Sequence, residues 1–127
     1  MRYLLDTHTL LWGAEDSDRL SNTVRDILNN DDAQIFISVA SLWEFSIKYG
    51  LKKLDFDGGL DCLCEIIQQA GFTMLPITQS YLSHIIDLQP IHGDPFDRLL
   101  IATAKVEGMT ILTKDENIQK YDVLHEW

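Results

Sequence analysis

Short apolar runs alternate with segments of helical period along the whole chain, and this alternation restricts the fold more than any other feature. Tyr3-Leu4-Leu5 ends at Asp6, and Ile35-Phe36-Ile37-Ser38-Val39 passes into Ser41-Leu42-Trp43-Glu44. Phe72-Thr73-Met74-Leu75 ends at Pro76, Met109-Thr110-Ile111-Leu112-Thr113 is a fourth run, and a weak fifth lies near Val123-Leu124. Short runs without polar alternation are typical of strands buried on both faces. Between them, Leu60, Leu63, Cys64 and Ile67 follow the i, i+3, i+4, i+7 template up to Gly71, a C-terminal stop. Thr78 caps a helix marked by Tyr81, Leu82, Ile85, Ile86 and Leu88. Another carries Phe96, Leu99, Leu100, Thr103 and Ala104 and stops at Gly108, and Ser21 to Asn30 is helical with Val24, Ile27 and Leu28 inward. Strand–helix alternation makes βαβ units, so the expected class is α/β with a mostly parallel sheet covered on both faces.

At 127 residues the chain fits a single domain over 1–127, and Asp55–Gly59 reads as an ordinary loop. No apolar run approaches the ~18–20 residues of a membrane span. Asp6 interrupts the N-terminal apolar stretch at once, which no signal peptide allows. The expected location is the cytoplasm, with no membrane partner. Cys62 and Cys64 form a lone C-x-C whose side chains diverge on a helix, and no further pair supplies a zinc site. They read as packing thiols in a reducing compartment.

Twenty Asp and Glu against ten Lys and Arg give a net charge of −10. That sign opposes simple nucleic-acid binding, which rests on cations replacing counterions along the phosphates. An acidic domain still handles a phosphodiester when metal ions lie between its carboxylates and the substrate. A basic protein partner is the other reading of the imbalance.

Ligands of open parallel sheets bind outside the carboxyl ends of the strands. Asp6 closes the first strand, Glu44 opens the helix after the second, Asp94 and Asp97 open the helix before the fourth, and Asp115 follows the fourth. Each of the last four has a structural reading. Ser41-x-x-Glu44 and Thr113-x-x-Glu116 match capping boxes, and Asp94-Pro95 matches N-cap and N1 with Asp97 at N3. Asp6 has none as simple, because a carboxylate closing a buried strand is costly to desolvate without a cation or several donors. Were these acids to converge, their repulsion would raise pKa values and destabilise the fold, and a divalent cation would remove that cost. All-oxygen ligation selects Mg²⁺ or Mn²⁺, ions that activate water against a phosphodiester.

The strings LLDTHTLLW (4–12), ISVASLWEFSIKYGLKKL (37–54), LPI (75–77), HGDPFDRLLIATAKVEG (92–108) and ILTKDENIQKY (111–121) resemble, in this order, the PIN-domain nucleases. They are most similar to the VapC-type toxins of bacterial toxin–antitoxin pairs. The resemblance implies a three-layer α/β/α sandwich and a Mg²⁺- or Mn²⁺-dependent endoribonuclease. Asp6, Glu44, Asp97 and Asp115 fall on the family's acidic quartet, with Asp6 and Asp97 as primary ligands. Glu44 and Asp115 would ligate directly or through water and orient the attacking water. Asp94 matches a common aspartate of this branch and reads as a cap, and Thr7 and Thr113 would hydrogen-bond the ligands from behind. The resemblance further implies a homodimer, a small antitoxin partner, and tRNA or another structured RNA as substrate. Two positions depart from the pattern: Gly93 replaces a common basic residue, and Ile118 takes a usual aromatic position.

Positive surface for RNA would come from Lys48, Lys52 and Lys53 at the end of the Glu44 helix, and from Arg98 beside Asp97. His8 reads as a helix-start residue, and Trp12 and Trp43 as core or dimer contacts. Three rival readings remain at this level. A haloacid-dehalogenase-type phosphoryl-transfer domain needs a second acid where His8 stands. A receiver-like Mg²⁺-binding signalling module needs paired acids after the first strand and a phosphoacceptor after a middle one. An inactive PIN-like protein-binding domain would not need the quartet.

Overall fold

The computed structural model describes residues 1–127. Its elements run β1 (Arg2–Leu5), α1 (Thr7–Ala14), α2 (Asn22–Leu28), β2 (Gln34–Ser38), α3 (Val39–Gly50), α4 (Gly59–Gln69) and β3 (Thr73–Leu75). The second half runs α5 (Gln79–Ile86), α6 (Pro95–Glu107), β4 (Thr110–Leu112), α7 (Glu116–Gln119) and β5 (His125–Glu126). The strands form one sheet in the order β3-β2-β1-β4-β5, every pair parallel.

Alternate residues of the strands feed opposite faces, as the period of two requires. Tyr3, Leu5, Ile35, Ile37 and Leu112 pack with Leu10, Val24, Phe45 and Leu63, from α1 to α4. Leu4 and Ile111 pack with Leu100, Ile101, Ala104 and Ile118, from α6 and α7. The architecture is therefore a three-layer α/β/α sandwich around a wholly parallel sheet. The chain leaves β1 towards β2 and β3, then returns to lay β4 on the other side of β1. That reversal opens a crevice between the carboxyl ends of β1 and β4, the general ligand position of such sheets.

Helix ends follow local chemistry. Ser21, Thr78 and Asp94 accept from the backbone N–H three residues on, and Pro95 occupies the first turn after Asp94. Gly71 ends α4 in a Schellman arrangement, with Phe72 N–H donating to Ile67 O and Gly71 N–H to Gln68 O, at a φ of 75° that favours glycine. Three local expectations change. No loop separates β2 from α3, so Ser38 is the N-cap and Ser41 lies inside the helix, its buried Oγ without a partner. Asp115 itself caps α7 through Asn117 N–H, leaving the Thr113 hydroxyl free for other work. The fifth strand is His125–Glu126, one step beyond the apolar pair Val123-Leu124. No helix is long and apolar enough to cross a membrane.

Candidate active site

The first turn of α1 begins directly after β1, so the Asp6 side chain turns back as N-cap and accepts from Thr9 N–H at 2.7 Å. Its second oxygen, Oδ2, accepts from the Thr113 hydroxyl at the exit of β4. Asp6 is almost wholly buried, and burial pushes its carboxyl above the usual range despite those donors. Thr113 Oγ1 also accepts from Asp115 N–H at 3.0 Å, which ties the β4 exit to the cap of α7.

Glu44 sits in the middle of α3, not in a capping box, and is buried. Its Oε1 accepts from Thr7 Oγ1 at 2.5 Å, and its Oε2 from Lys48 Nζ at 2.8 Å. The i, i+4 spacing brings Lys48 onto the same helix face. The hydrogen bond to Glu44 raises the Lys48 ammonium above its ordinary value.

Asp97 is at N3 of α6, beneath the Asp94 cap, which accepts from Asp97 N–H at 3.0 Å. The Asp97 carboxylate has no comparable donor; His92 Nε2 lies 3.4 Å from its Oδ2. Burial, then Asp94, Asp115, Glu44 and Asp6 as like charges, push it up to about 7. Each of the other quartet members thus acts on Asp97, which is the sense in which the acids converge. They line one cleft of about 170 Å³ together with Thr7, His8, Lys48, His92 and Asp94.

His92, Asp94 and Asp97 can each bring one ligand atom within 4.8 Å of the others. Sequence reasoning assigned His92 no role. The signal that could have found it was its place two residues before an N-cap aspartate, inside the same string as Asp97. The backbone at His92 is pinned by Tyr121: His92 N–H donates to Tyr121 Oη at 2.9 Å, and Tyr121 Oη donates to His92 O at 3.0 Å.

The expected RNA contacts separate. Lys48 enters the acidic cleft, whereas Lys52 and Lys53 stay exposed beyond the end of α3 and outside it. Arg98 faces the loop before α6, donating to Gln89 O at 2.9 Å, Tyr121 Oη at 3.0 Å and Ile85 O at 3.3 Å. Its guanidinium holds the His92 segment in place. Trp43 is exposed and meets Phe96 edge-on at 5.1 Å, while Trp12 packs against Trp127 at 5.7 Å.

The donor set fits a hard divalent cation. Several carboxylates surround a small polar cleft, and one of them lacks any close donor and suffers the repulsion of all the others.

The chain is similar to known proteins in sequence and in fold. The sequence model of the family described as PIN domain matches residues 3–124. Ribonuclease VapC22 of Mycobacterium tuberculosis is 27% identical over 120 residues, covering 93% of this chain and 90% of that protein. VapBC2 from Rickettsia felis, solved bound to a DNA fragment from its promoter, superposes with a TM-score of 0.75 at 17% identity, over 99% of this chain and 98% of that one. The sarcin-ricin-loop-cleaving toxin VapC20 of Mycobacterium tuberculosis gives a TM-score of 0.66 at 10% identity, over 96% of each chain. At these identities the structural matches establish the fold.

Proposed function

The chain belongs to the PIN domain family, and from that premise we propose that it is a Mg²⁺- or Mn²⁺-dependent endoribonuclease, the toxin of a toxin–antitoxin pair. The observation that carries this reading is the convergence of Asp6, Glu44, Asp97 and Asp115 on one cleft, with Asp97 raised to about 7. Capping alone gives no reason for acids from four separate segments to approach so closely that they perturb one another. The similarity to Ribonuclease VapC22 supports RNA as the substrate.

Asp6 and Asp97 would hold the ion. Such an ion would supply Lewis acidity there, stabilising charge on the phosphate and making water a better nucleophile near neutral pH. Asp115 commits one oxygen to Asn117 N–H, and its other oxygen is free to orient the attacking water and take its proton. Thr113 and Thr9 fix the Asp6 carboxylate from behind, and Thr7 fixes Glu44. Asp94 shapes the start of α6 and so sets where Asp97 points. Structured RNA such as tRNA, offered at a negatively charged protein, would gain positive contacts from Lys52 and Lys53.

The solved structures of toxin–antitoxin complexes on this fold support a small antitoxin as partner, and the charge of −10 favours basic groups on it. A homodimer is supported by Val39, Trp43 and Ile47, exposed at successive turns of one α3 face. The cytoplasm, where such RNA is found, is the compartment this reading requires.

The test is a cleavage assay of the purified chain over a panel of RNAs including tRNA. The expected result is cleavage in Mg²⁺ or Mn²⁺ that stops in excess EDTA and in Asp6→Asn. Undiminished cleavage in EDTA, or by Asp6→Asn, would refute the assignment.

A further inference from the structure

The acidic cleft holds one fixed positive charge of the protein's own. Lys48 is the sole Lys or Arg among the residues lining it, and its Nζ donates to Glu44 Oε2 at 2.8 Å. The other Glu44 oxygen accepts from Thr7 at 2.5 Å. Asp6 also accepts two hydrogen bonds, but both come from neutral donors, Thr9 N–H and the Thr113 hydroxyl. An oxygen with one neutral donor retains a lone pair for a metal. Glu44 differs because its partner is a cation. A divalent ion seeking Glu44 would have to share that carboxylate with an ammonium group 2.8 Å from Oε2, whereas Asp6 has neutral donors only and the neighbour of Asp97 Oδ2 is the His92 imidazole at 3.4 Å.

We propose that Lys48 stands in place of a second divalent ion. The chain binds one ion, at Asp6 and Asp97, and Glu44 is a positioning residue whose work is to aim the Lys48 ammonium at a non-bridging oxygen of the scissile phosphate. This rests on the metal-dependent nuclease reading above. As the bond from water oxygen to phosphorus forms, the bond to the leaving ribose oxygen breaks. The water proton passes to a carboxylate of the cleft, the leaving oxygen is protonated from solvent, and Lys48 keeps its proton throughout. Two-metal phosphodiesterases place their ions ~3.5–4 Å apart to clamp both oxygens of the displacement. A lysine held by a carboxylate supplies part of that charge without a second binding equilibrium.

The experiment is Mn²⁺ titration of the full chain by calorimetry, with electron paramagnetic resonance to separate isolated from coupled ions. Wild type and Lys48→Arg are expected to bind one ion and give an uncoupled signal. Lys48→Met frees Glu44 and is expected to bind two coupled ions, the second lost again in Lys48→Met/Glu44→Gln. At saturating Mn²⁺, Lys48→Met should lower kcat at least tenfold, with Lys48→Arg recovering part of it. Two ions in the wild type, or one in Lys48→Met with its fold intact by circular dichroism, would overturn the proposal while leaving the nuclease reading standing. Failure of the wild type to bind Mn²⁺ at all would overturn both.

Discussion

The hydroxyl of Thr113 donates to the carboxylate of Asp6, joining the carboxyl end of β4 to that of β1 across the crevice where the strand order reverses. The same oxygen accepts from Asp115 N–H. One buried side chain thus fixes two of the converging acids, and it can do so because β1 and β4 pair in parallel, with Leu5 opposite Leu112.

Thr113→Val keeps the shape of that side chain and removes both hydrogen bonds. Leaving Asp6 short of a donor in a buried site costs about 1–3 kcal/mol. Urea unfolding should show a loss of that size, and cleavage activity should fall as Asp6 and Asp115 lose their common anchor. A variant as stable as the wild type would show that the bond does not hold the site.

Asp97 gives the metal-free protein a characteristic pH dependence. Its folded pKa is about 7 against an ordinary 3.8, so between these values the unfolded chain has released a proton that the folded chain retains. The contribution of Asp97 to stability is therefore fully present below about pH 4, is lost as pH rises towards 7, and changes no further above that. The effect is at most on the order of 4 kcal/mol, reduced by solvent screening of a carboxyl that is not fully buried. Asp97→Asn should make the profile shallower, leaving the part due to buried Asp6, and raise the metal-free melting temperature at pH 7.5, while abolishing stabilisation by Mn²⁺. Thermal melts across pH in EDTA test it, and an unchanged slope in Asp97→Asn would contradict the assignment.

Asp94 should behave as a cap. Asp94→Ala is expected to cost about 1 kcal/mol, and Asp94→Ser to restore most of it, since serine caps as well. Activity should survive in Asp94→Ser. Melting curves with parallel cleavage rates separate this from a ligand role, for which serine would fail as badly as alanine.

Much of this site is legible in the sequence because strand ends are legible. Short apolar runs locate the carboxyl ends of β1, β2 and β4, and Asp6, Asp115 and, further into the following helix, Glu44 lie beyond them, while Asp97 is located by the start of α6 instead. The Asp94-Pro95 start and Gly108 stop of α6 follow from backbone chemistry alone. What failed was local detail that tertiary context decides. Ser41 and Glu44 match a capping box, yet α3 starts three residues earlier because β2 runs straight into it. Lys48 and Arg98 read equally as surface cations. The i, i+4 spacing was a usable signal for the Glu44–Lys48 pair, but nothing in the sequence reveals that Arg98 meets Tyr121, which depends on how α6 and the segment after α7 pack. β5 escapes an apolar-run search because its two residues are polar and exposed at the sheet edge.

The separated cations should therefore act differently. Arg98→Ala is expected to destabilise the fold by about 1–3 kcal/mol through its missing hydrogen bonds. Lys52→Gln with Lys53→Gln should leave stability unchanged, weaken RNA binding, and reduce the dependence of affinity on salt by about 0.7 for each phosphate no longer neutralised. Filter binding over a salt series, set beside melting curves, distinguishes them. An Arg98 variant with normal stability and a reduced salt slope would reverse the assignment.

The most direct measurement is the position of Mn²⁺ by anomalous diffraction from crystals grown with the ion. The expected result is a peak within coordination distance of carboxylate oxygens of both Asp6 and Asp97, absent in Asp97→Asn crystals. A fully occupied ion elsewhere, or a cleft that stays empty at saturating Mn²⁺, would contradict the claim that these acids converge in order to hold a metal.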